Sequence, residues 1–396
     1  MKIRRYTLFI AIPSLILVLL AVFAARTTNA KAATARSSCS WHVVSAPTAG
    51  QGTHLFDAAA LSSSDIWSVG EYLSTGSGKA TKTLIEHWDG SQWSIVPSPS
   101  VGPHGAYLDV IAAVSTNNLW AVGSYVDQSY TNQVLIEQWN GSQWSLVPSP
   151  TPSQEGGGLS SVTVISANDI WAVGSYYSNG ATNYTLAEHW DGSRWSIVST
   201  PNPRRVGNFL NSVVALSSND VWAVGGSFSG VGAALTLVEH WDGSRWSVVN
   251  SLNPGAASNY LGSVSAVSAN NIWAVGDYYN RHKSGTETLV EHWDGSQWSV
   301  ANSPNVSKVK NSFSQVAALS ATNIWAVGYT GGQGRFAPEH TLIEHWDGTN
   351  WRIVSSPNPG PNYNILNAVT RVPGSKQMWT IGTEGLYYGD PLTAYC

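Results

Sequence analysis

The sequence predicts an all-β protein built from one module repeated seven times, and three observations carry that prediction. The first is the tetrad Trp-Ala-Val-Gly or a close variant, beginning at Trp67, Trp120, Trp171, Trp222, Trp273, Trp325 and Trp379, at intervals of 51 to 54 residues. The second is a cassette about 25 residues further on in each of the first six repeats, in its fullest form Glu-His-Trp-Asp-Gly-Ser-Gln-Trp. The third is composition: 20 Trp in 396 residues with only 11% charged residues, ample material for a core and the reverse of a disordered chain. A period near 50 holding several short β-rich pieces is the signature of a β-propeller with one four-stranded blade per repeat. A lone blade cannot cover both of its apolar faces, so it must stack on neighbours. The expected architecture is therefore seven four-stranded antiparallel blades in a ring.

Each repeat divides into four strand-sized pieces. The first begins at Leu55, Leu108, Leu159, Leu210, Leu261, Phe313 and Leu366, and the second is the Trp-Ala-Val-Gly piece. The third ends at Trp88, Trp139, Trp190, Trp241, Trp293 and Trp346. The fourth starts at Trp41, Trp93, Trp144, Trp195, Trp246, Trp298 and Trp351. These runs are rich in Val, Ile, Trp and Thr and bounded by Gly, Asn and Pro, which marks them as strands. In Ile66-Trp67-Ser68-Val69 both faces carry apolar or small residues, as a strand sandwiched between two blades requires. Pro97 and Pro99 are expected on the outermost strand, where a missing N–H blunts the edge.

The order of the pieces predicts how the ring shuts. A fourth-strand piece at Trp41 precedes everything else, whereas the seventh repeat has a first strand at Leu366, a second at Trp379 and a degenerate third near Leu386-Tyr387-Tyr388. The N-terminal strand should thus complete the C-terminal blade and remove an open edge. That closure brings Cys39 to Cys396, the only two cysteines, and predicts a disulfide between them.

Two connections per repeat are short and uniform: the Ser-x-Asn-Asp type before the Trp-Ala-Val-Gly strand, and the Asp-Gly hairpin, a strong tight-turn signal. The loop after the Trp-Ala-Val-Gly glycine and the loop between repeats are longer and differ every time. Both kinds leave the same end of the blades, so that variable face and the mouth of the central channel are the expected ligand surface.

The first 35 residues hold five of the 20 Lys and Arg and no Asp or Glu; the remainder carries 15 basic against 24 acidic residues, a net of −9. Such a surface argues against nucleic acid or an anionic membrane as partner. The basic start Met1-Lys2-Ile3-Arg4-Arg5, an apolar stretch from Thr7 to Ala25 and Ala-x-Ala sites ending at Ala32 or Ala35 read as a secretory signal over residues 1–35, followed by one domain over 40–396. The apolar stretch is long enough that a retained N-terminal anchor is the alternative. Either way the repeats are expected outside the cytoplasm, secreted or at the cell surface, as a monomer.

The repeat resembles the kelch-like unit of the galactose-oxidase-type seven-bladed propeller. The matching residues are the glycines that end the second strand (Gly70, Gly123, Gly174, Gly225, Gly276, Gly328 and Gly382), the pair Trp88-Asp89 with its equivalents, and Trp93 with its equivalents. It departs from that family in carrying the double glycine only at Gly225-Gly226, and in a tighter aromatic-to-Trp interval. The Asp89-to-Trp93 turn is one residue too short for an Asp-box. The resemblance implies the architecture and leaves the activity open, because propellers host binding and catalysis alike.

Candidate chemistry is sparse. The pairs Glu86-His87, Glu188-His189, Glu239-His240, Glu291-His292 and Glu344-His345 invite a metal or acid–base reading, but neighbours on a strand point to opposite faces, so hydrogen bonding within each blade is expected. Aromatics after the Trp-Ala-Val-Gly glycine (Tyr72, Tyr125, Tyr176, Tyr177, Phe228, Tyr278, Tyr279, Tyr329) are expected mainly to pack between blades. Blade-specific residues are the better ligand contacts. The inter-blade loops supply His54, His104, Tyr107, Arg204, Arg205, Asn208, Tyr260 and Tyr363. The loops after the glycine supply Tyr279, Arg281, His282, Lys283 and Arg335, and first strands bring Asp57, Asp109, Asn211 and Asn367 near the channel mouth. Galactose-oxidase chemistry needs a Tyr crosslinked to Cys, and both cysteines are committed elsewhere. EF-hand, P-loop, HExxH and GxSxG motifs do not occur. The sequence thus points to a binding module for an extracellular glycan or protein, with no catalytic residue, metal or cofactor assigned. A glycan-active hydrolase or lyase at the channel mouth is the alternative.

Overall fold

A computed structural model describes residues 39–396 apart from 76–78, 100, 179, 181, 229, 231–232, 309, 333–336 and 386–388. Among the described residues there are 28 strands and no helix. The strands assort into antiparallel units of four. In the first unit Gln51–Ser62, Asp65–Leu73, Thr81–Trp88 and Trp93–Ile95 lie side by side in chain order. The next five repeats follow the same plan. Single parallel pairs, Asn183 with Gly207 and Thr286 with Lys310, link the third unit to the fourth and the fifth to the sixth.

The last unit draws on both ends of the described chain. His42–Val44 pairs with Asp390–Tyr395, which pairs with Met378–Gly385 and then Tyr363–Arg371. His42 lies opposite Tyr395 and Val44 opposite Thr393. Cys39 and Cys396 form a disulfide with their Cα atoms 5.1 Å apart. The third strand expected at 386–388 falls outside the described residues; the strand that occupies that place is Asp390–Tyr395. The fourth strands are shorter than their sequence suggests, at three or four residues. After Val96 N donates to Ile85 O the chain leaves the sheet, so Pro97 and Pro99 follow the strand rather than sit in it. A ring nitrogen without hydrogen cannot extend the ladder.

Two sequence features explain the local geometry. Every first strand shifts register just after its leading Leu or Phe, as between Leu55 and Asp57 or Leu366 and Ala368. A bulge of this kind bends the strand and re-aims side chains. The Trp-Ala-Val-Gly glycine lies directly across from that bulge: a Cβ on Gly70 would collide with the carbonyl oxygen of His54, and one on Gly174 with that of Gly158. In the hairpin, Gly90 adopts φ +97°, open to glycine at no steric cost. Asp89 Oδ1 accepts from the N–H groups of Ser91 and Gln92 at 2.8 and 2.9 Å.

Tryptophan fills the seams between units. Trp171 of the third unit meets Trp241 and Trp246 of the fourth at 4.9 and 5.4 Å between ring centroids. Trp120 repeats this against Trp190 and Trp195, and Trp379 of the last unit meets Trp88 and Trp93 of the first at 5.1 and 5.6 Å. Indoles at these distances bury roughly 150–250 Å² each and dominate a core of short strands.

Candidate functional site at the channel mouth

The bulges place two consecutive residues of each first strand toward the middle of the molecule. One position holds Phe56, Asp109, Ser160, Asn211, Gly262, Ser314 and Asn367, and the next holds Asp57, Val110, Ser161, Ser212, Ser263, Gln315 and Ala368. All but Ala368 line one cavity of about 220 Å³. A second cavity of about 370 Å³ shares Asp57, Val110, Ser161, Ser212, Ser263 and Gln315 and continues toward Thr370 and Arg371. Those shared residues form a waist. The smaller cavity takes the earlier residues of each first strand and so opens toward the variable loops.

The waist is a belt of hydrogen bonds from one unit to the next. Val213 N donates to Ser161 Oγ, Val264 N to Ser212 Oγ and Val316 N to Ser263 Oγ, each at 3.2 Å. Ile111 N donates to Asp57 Oδ2 at 3.0 Å, and Val369 N to Gln315 Oε1 at 2.7 Å. The Gln315 amide then donates across to Asp57 Oδ1 at 2.8 Å, joining the sixth unit to the first. Burial raises the Asp57 carboxyl to about 6 against these donors. Two amides stitch the neighbouring level, Asn211 Nδ2 donating to Leu261 O and Asn367 Nδ2 to Leu55 O at 2.9 and 2.7 Å.

Asp109 differs from its neighbours at the mouth. It makes no hydrogen bond among the described residues, and burial raises it to about 7, with the nearby Glu71 carboxylate pushing the same way. Glu71 is itself raised by burial. Burial also raises the Tyr107 hydroxyl, with Asp109 and Glu71 adding to it. The mouth is therefore acidic on the side of the first two units and lined by amides and hydroxyls elsewhere.

Of the residues expected to bind ligand, Asp57, Asp109, Asn211 and Asn367 line the mouth and Tyr107 adjoins it. The other described ones do not line it. His104 is exposed and stacks on Tyr130 at 3.8 Å. Arg204 and Arg205 are exposed on a loop whose backbone is clamped by Asn208, which accepts from Arg204 N and donates to Arg204 O. Asn208 is thus structural, as are Asn259, Asn311 and Asn364, which clamp their own loops in the same way. Arg281 and His282 sit on an exposed turn beside Tyr279, and Tyr363 lies near Lys310 and Glu339. Arg335 lies outside the described residues. Gln315 and Glu71 are not among the expected residues; aligning the first strands by column exposes Gln315 in the column of Asp57, where three of the seven repeats carry Ser.

The Glu-His pairs resolve as their alternation requires. His87 Nε2 and Trp67 Nε1 both donate to Asp65 Oδ1, at 2.9 and 2.8 Å, and His240 and Trp222 treat Asp220 alike. The glutamates face the other way, into the seams. Glu86, Glu137, Glu188, Glu239, Glu291 and Glu344 are all fully buried. Four accept from a serine on the preceding unit: Ser98 to Glu137, Ser149 to Glu188, Ser251 to Glu291 and Ser303 to Glu344. Burial pushes Glu86, Glu137 and Glu344 up to about 8 and Glu188 and Glu291 to about 7, and carries Glu239 well above its usual range. The paired aromatics divide similarly. Tyr72, Tyr125, Tyr176 and Tyr278 pack into the seams, whereas Tyr177 and Tyr279 are exposed.

No protein-family model matches the chain, and no curated protein matches it. Among solved structures it is similar to one described as YCF48 bound to D1 peptide, with a TM-score of 0.55 and 13% identity over 90% of this chain and 96% of that one. It also matches a structure described as that of YjhT, with a TM-score of 0.49 and 11% identity over 79% of this chain and 99% of that one. The first likeness, together with the repeated four-stranded sheets, identifies the fold as a β-propeller.

Proposed function

We propose that the protein is an exported, non-catalytic binding propeller of seven blades, of the kelch-like kind, which holds an extracellular protein or glycan on its variable-loop face. The contact of Trp379 with Trp88 and Trp93, and the Asn367 bond to Leu55 O, support a closed ring. The disulfide supports an oxidising compartment. Residues 1–35 serve as the export signal or as an anchor.

One observation carries the binding reading. Of the polar residues at the mouth, Asp57, Asn211, Gln315 and Asn367 are spent on holding neighbouring units together. That leaves a rigid polar cup of about 220 Å³, too small for more than one sugar ring or one side chain, ringed by loops that differ in every repeat. A rigid anchor point surrounded by variable contacts is how recognition surfaces are built on scaffolds. Asp109, Tyr107 and Glu71 would contact the inserted group, and His104, Arg204, Arg205, Tyr279, Arg281, His282, Arg335 and Tyr363 would read its surroundings. The neighbour described with a bound peptide supports only that this architecture can carry one.

A second reading rests on Asp109 itself. A carboxyl at about 7 beside a second acid, Glu71, suits the proton donor of a glycosidase. Arrays of glycans and matrix proteins, probed with residues 39–396 and with Asp109→Asn, separate the two. Binding of a discrete set, weakened about tenfold or more by the substitution, is expected. Cleavage of an oligosaccharide that Asp109→Asn abolishes would replace binding with catalysis, and no discrete ligand would remove the assignment of this face.

A further inference from the structure

The outward edges of the third strands are closed in the third to sixth units and in the last; the residue in the capping place of the first unit, Ser100, lies outside the described residues. In the third to sixth units the backbone N–H of a threonine on this edge donates to an asparagine side chain that follows the fourth strand. The pairs are Thr185 to Asn202, Thr236 to Asn253, Thr288 to Asn305 and Thr341 to Asn358, at 2.8 to 3.0 Å. Two residues earlier the same edge is paired again, as Asn183 with Gly207 and Thr286 with Lys310. The last unit places Pro391, with no N–H, at the equivalent position opposite Thr383. Each device removes a free donor from a strand edge.

The second unit has none of them. Its threonine is replaced by Val134 and its asparagine by Thr151. Val134 lies opposite Ser124, the register that turns its N–H and C=O outward, and neither finds a partner among the described residues. The fourth strand of this unit, Trp144–Leu146, pairs as far as Glu137, and beyond it Val147 N donates to Ile136 O, which leaves Val134 uncovered. Beside the bare edge lies a groove of about 430 Å³, walled by Val101, Tyr125, Leu146, Pro148 and Pro150 and floored by Gln133 to Ile136.

We propose that this groove takes an extended peptide segment of a partner protein, which pairs its backbone with the free N–H and C=O of Val134 and sets an apolar side chain between Tyr125 and the two prolines. The edge specifies the chemistry. A half-buried N–H and C=O in extended geometry are matched by another extended backbone, and the apolar walls select the side chain on the inward face. The site is separate from the channel mouth and stands whether or not that mouth binds anything.

Randomised linear 12-residue peptides displayed on phage, selected on residues 39–396, test the proposal. Two substitutions copy what the other units already do: Val134→Pro removes the donor, and Thr151→Asn supplies the missing cap. Selected peptides are expected to lose binding at least tenfold with either variant, to share one apolar position, and to bind Asp109→Asn unchanged. Peptides indifferent to both edge variants, or none selected, overturn the proposal. Amide hydrogen exchange gives an independent reading. The Val134 amide is expected to exchange at least a hundredfold faster than those of Thr185, Thr236, Thr288 and Thr341 and to slow when a selected peptide is added. Protection equal to theirs in the free protein overturns it as well.

Discussion

The unit made from both ends of the chain and the six that precede it solve the same packing problem with different parts. In a contiguous unit the second-strand Trp is backed by a His (Gln138 in the second unit) and an Asp or Asn, a glutamate is buried in the seam and an Asp-Gly turn (Asn140-Gly141 in the second unit) leads into the fourth strand. The terminal unit keeps Trp379, fully buried, but has Thr380 and Ala394 where the others pair Ala or Ser with Glu, and Tyr395 where they carry His or, in the second unit, Gln. No turn joins its third strand to its fourth, and the disulfide stands in that place. The contrast teaches which features serve the seam and which serve the chain. Indoles across the seam are common to both kinds of unit, whereas the hydrogen-bonded trimmings accompany a continuous hairpin.

The largest effect should come from cutting the disulfide. Cys39→Ser with Cys396→Ser releases a link spanning 357 residues, and in the chain-entropy model a loop of that size is worth on the order of 5 kcal/mol, an upper figure. A large drop in denaturant midpoint is expected, and a loss within about 1 kcal/mol would mean that strand pairing alone suffices. Next come the indoles. Trp171→Ala and Trp379→Ala should each cost about 3–5 kcal/mol, alike in both kinds of unit. A much smaller cost at Trp379 would break the claim that the seam is shared.

Acidity should separate the two kinds of unit further. Five of the six seam glutamates are raised to about 7 or 8 and Glu239 well above its usual range, so between the unfolded value near 4.5 and those raised values the folded protein holds more protons than the unfolded one. Their contribution is full below pH 4.5 and is lost as pH rises through 7 and 8. The turn aspartates act oppositely: side-chain and backbone donors hold Asp191, Asp242 and Asp294 at about 2, so their contribution is present above 3.8 and lost in stronger acid. Thermal melts are expected to peak near pH 4–5 and decline toward pH 8, more shallowly after Glu137→Gln. A melting temperature that climbs from pH 5 to 8 would contradict this. The smallest effect is a gain. The Glu86 carboxyl has no hydrogen-bond partner among the described residues, and the residue facing its seam from the terminal unit is Ala46, where the other units present Ser or Thr. Ala46→Ser should stabilise by about 1 kcal/mol in urea titrations.

Repetition made the architecture legible and hid the site. Seven copies of one spacing announced the units, the termini and the disulfide, because whatever every unit needs is written in each of them. The channel mouth depends on which residues occupy one bulged position, and a bulge shifts the face a side chain reaches without leaving a residue type behind. Asp57 and Asp109 therefore looked equivalent from their neighbours, yet they stand one position apart, one bound into the belt and the other free. Asn208 looked specific because its loop is unique, although its work is repeated by Asn259, Asn311 and Asn364. The short fourth strands were likewise overestimated, since a Trp-Ser-Ile-Val run has strand composition whether or not a ladder continues past it.

Pairing of His42–Val44 with Asp390–Tyr395 also sets a timetable. The ribosome makes that edge first and its mate some 350 residues later, a wait of roughly 20–70 s at ordinary elongation rates. Throughout, His42–Val44 waits without its mate, so the last unit can close only once the final stretch of sequence has been made.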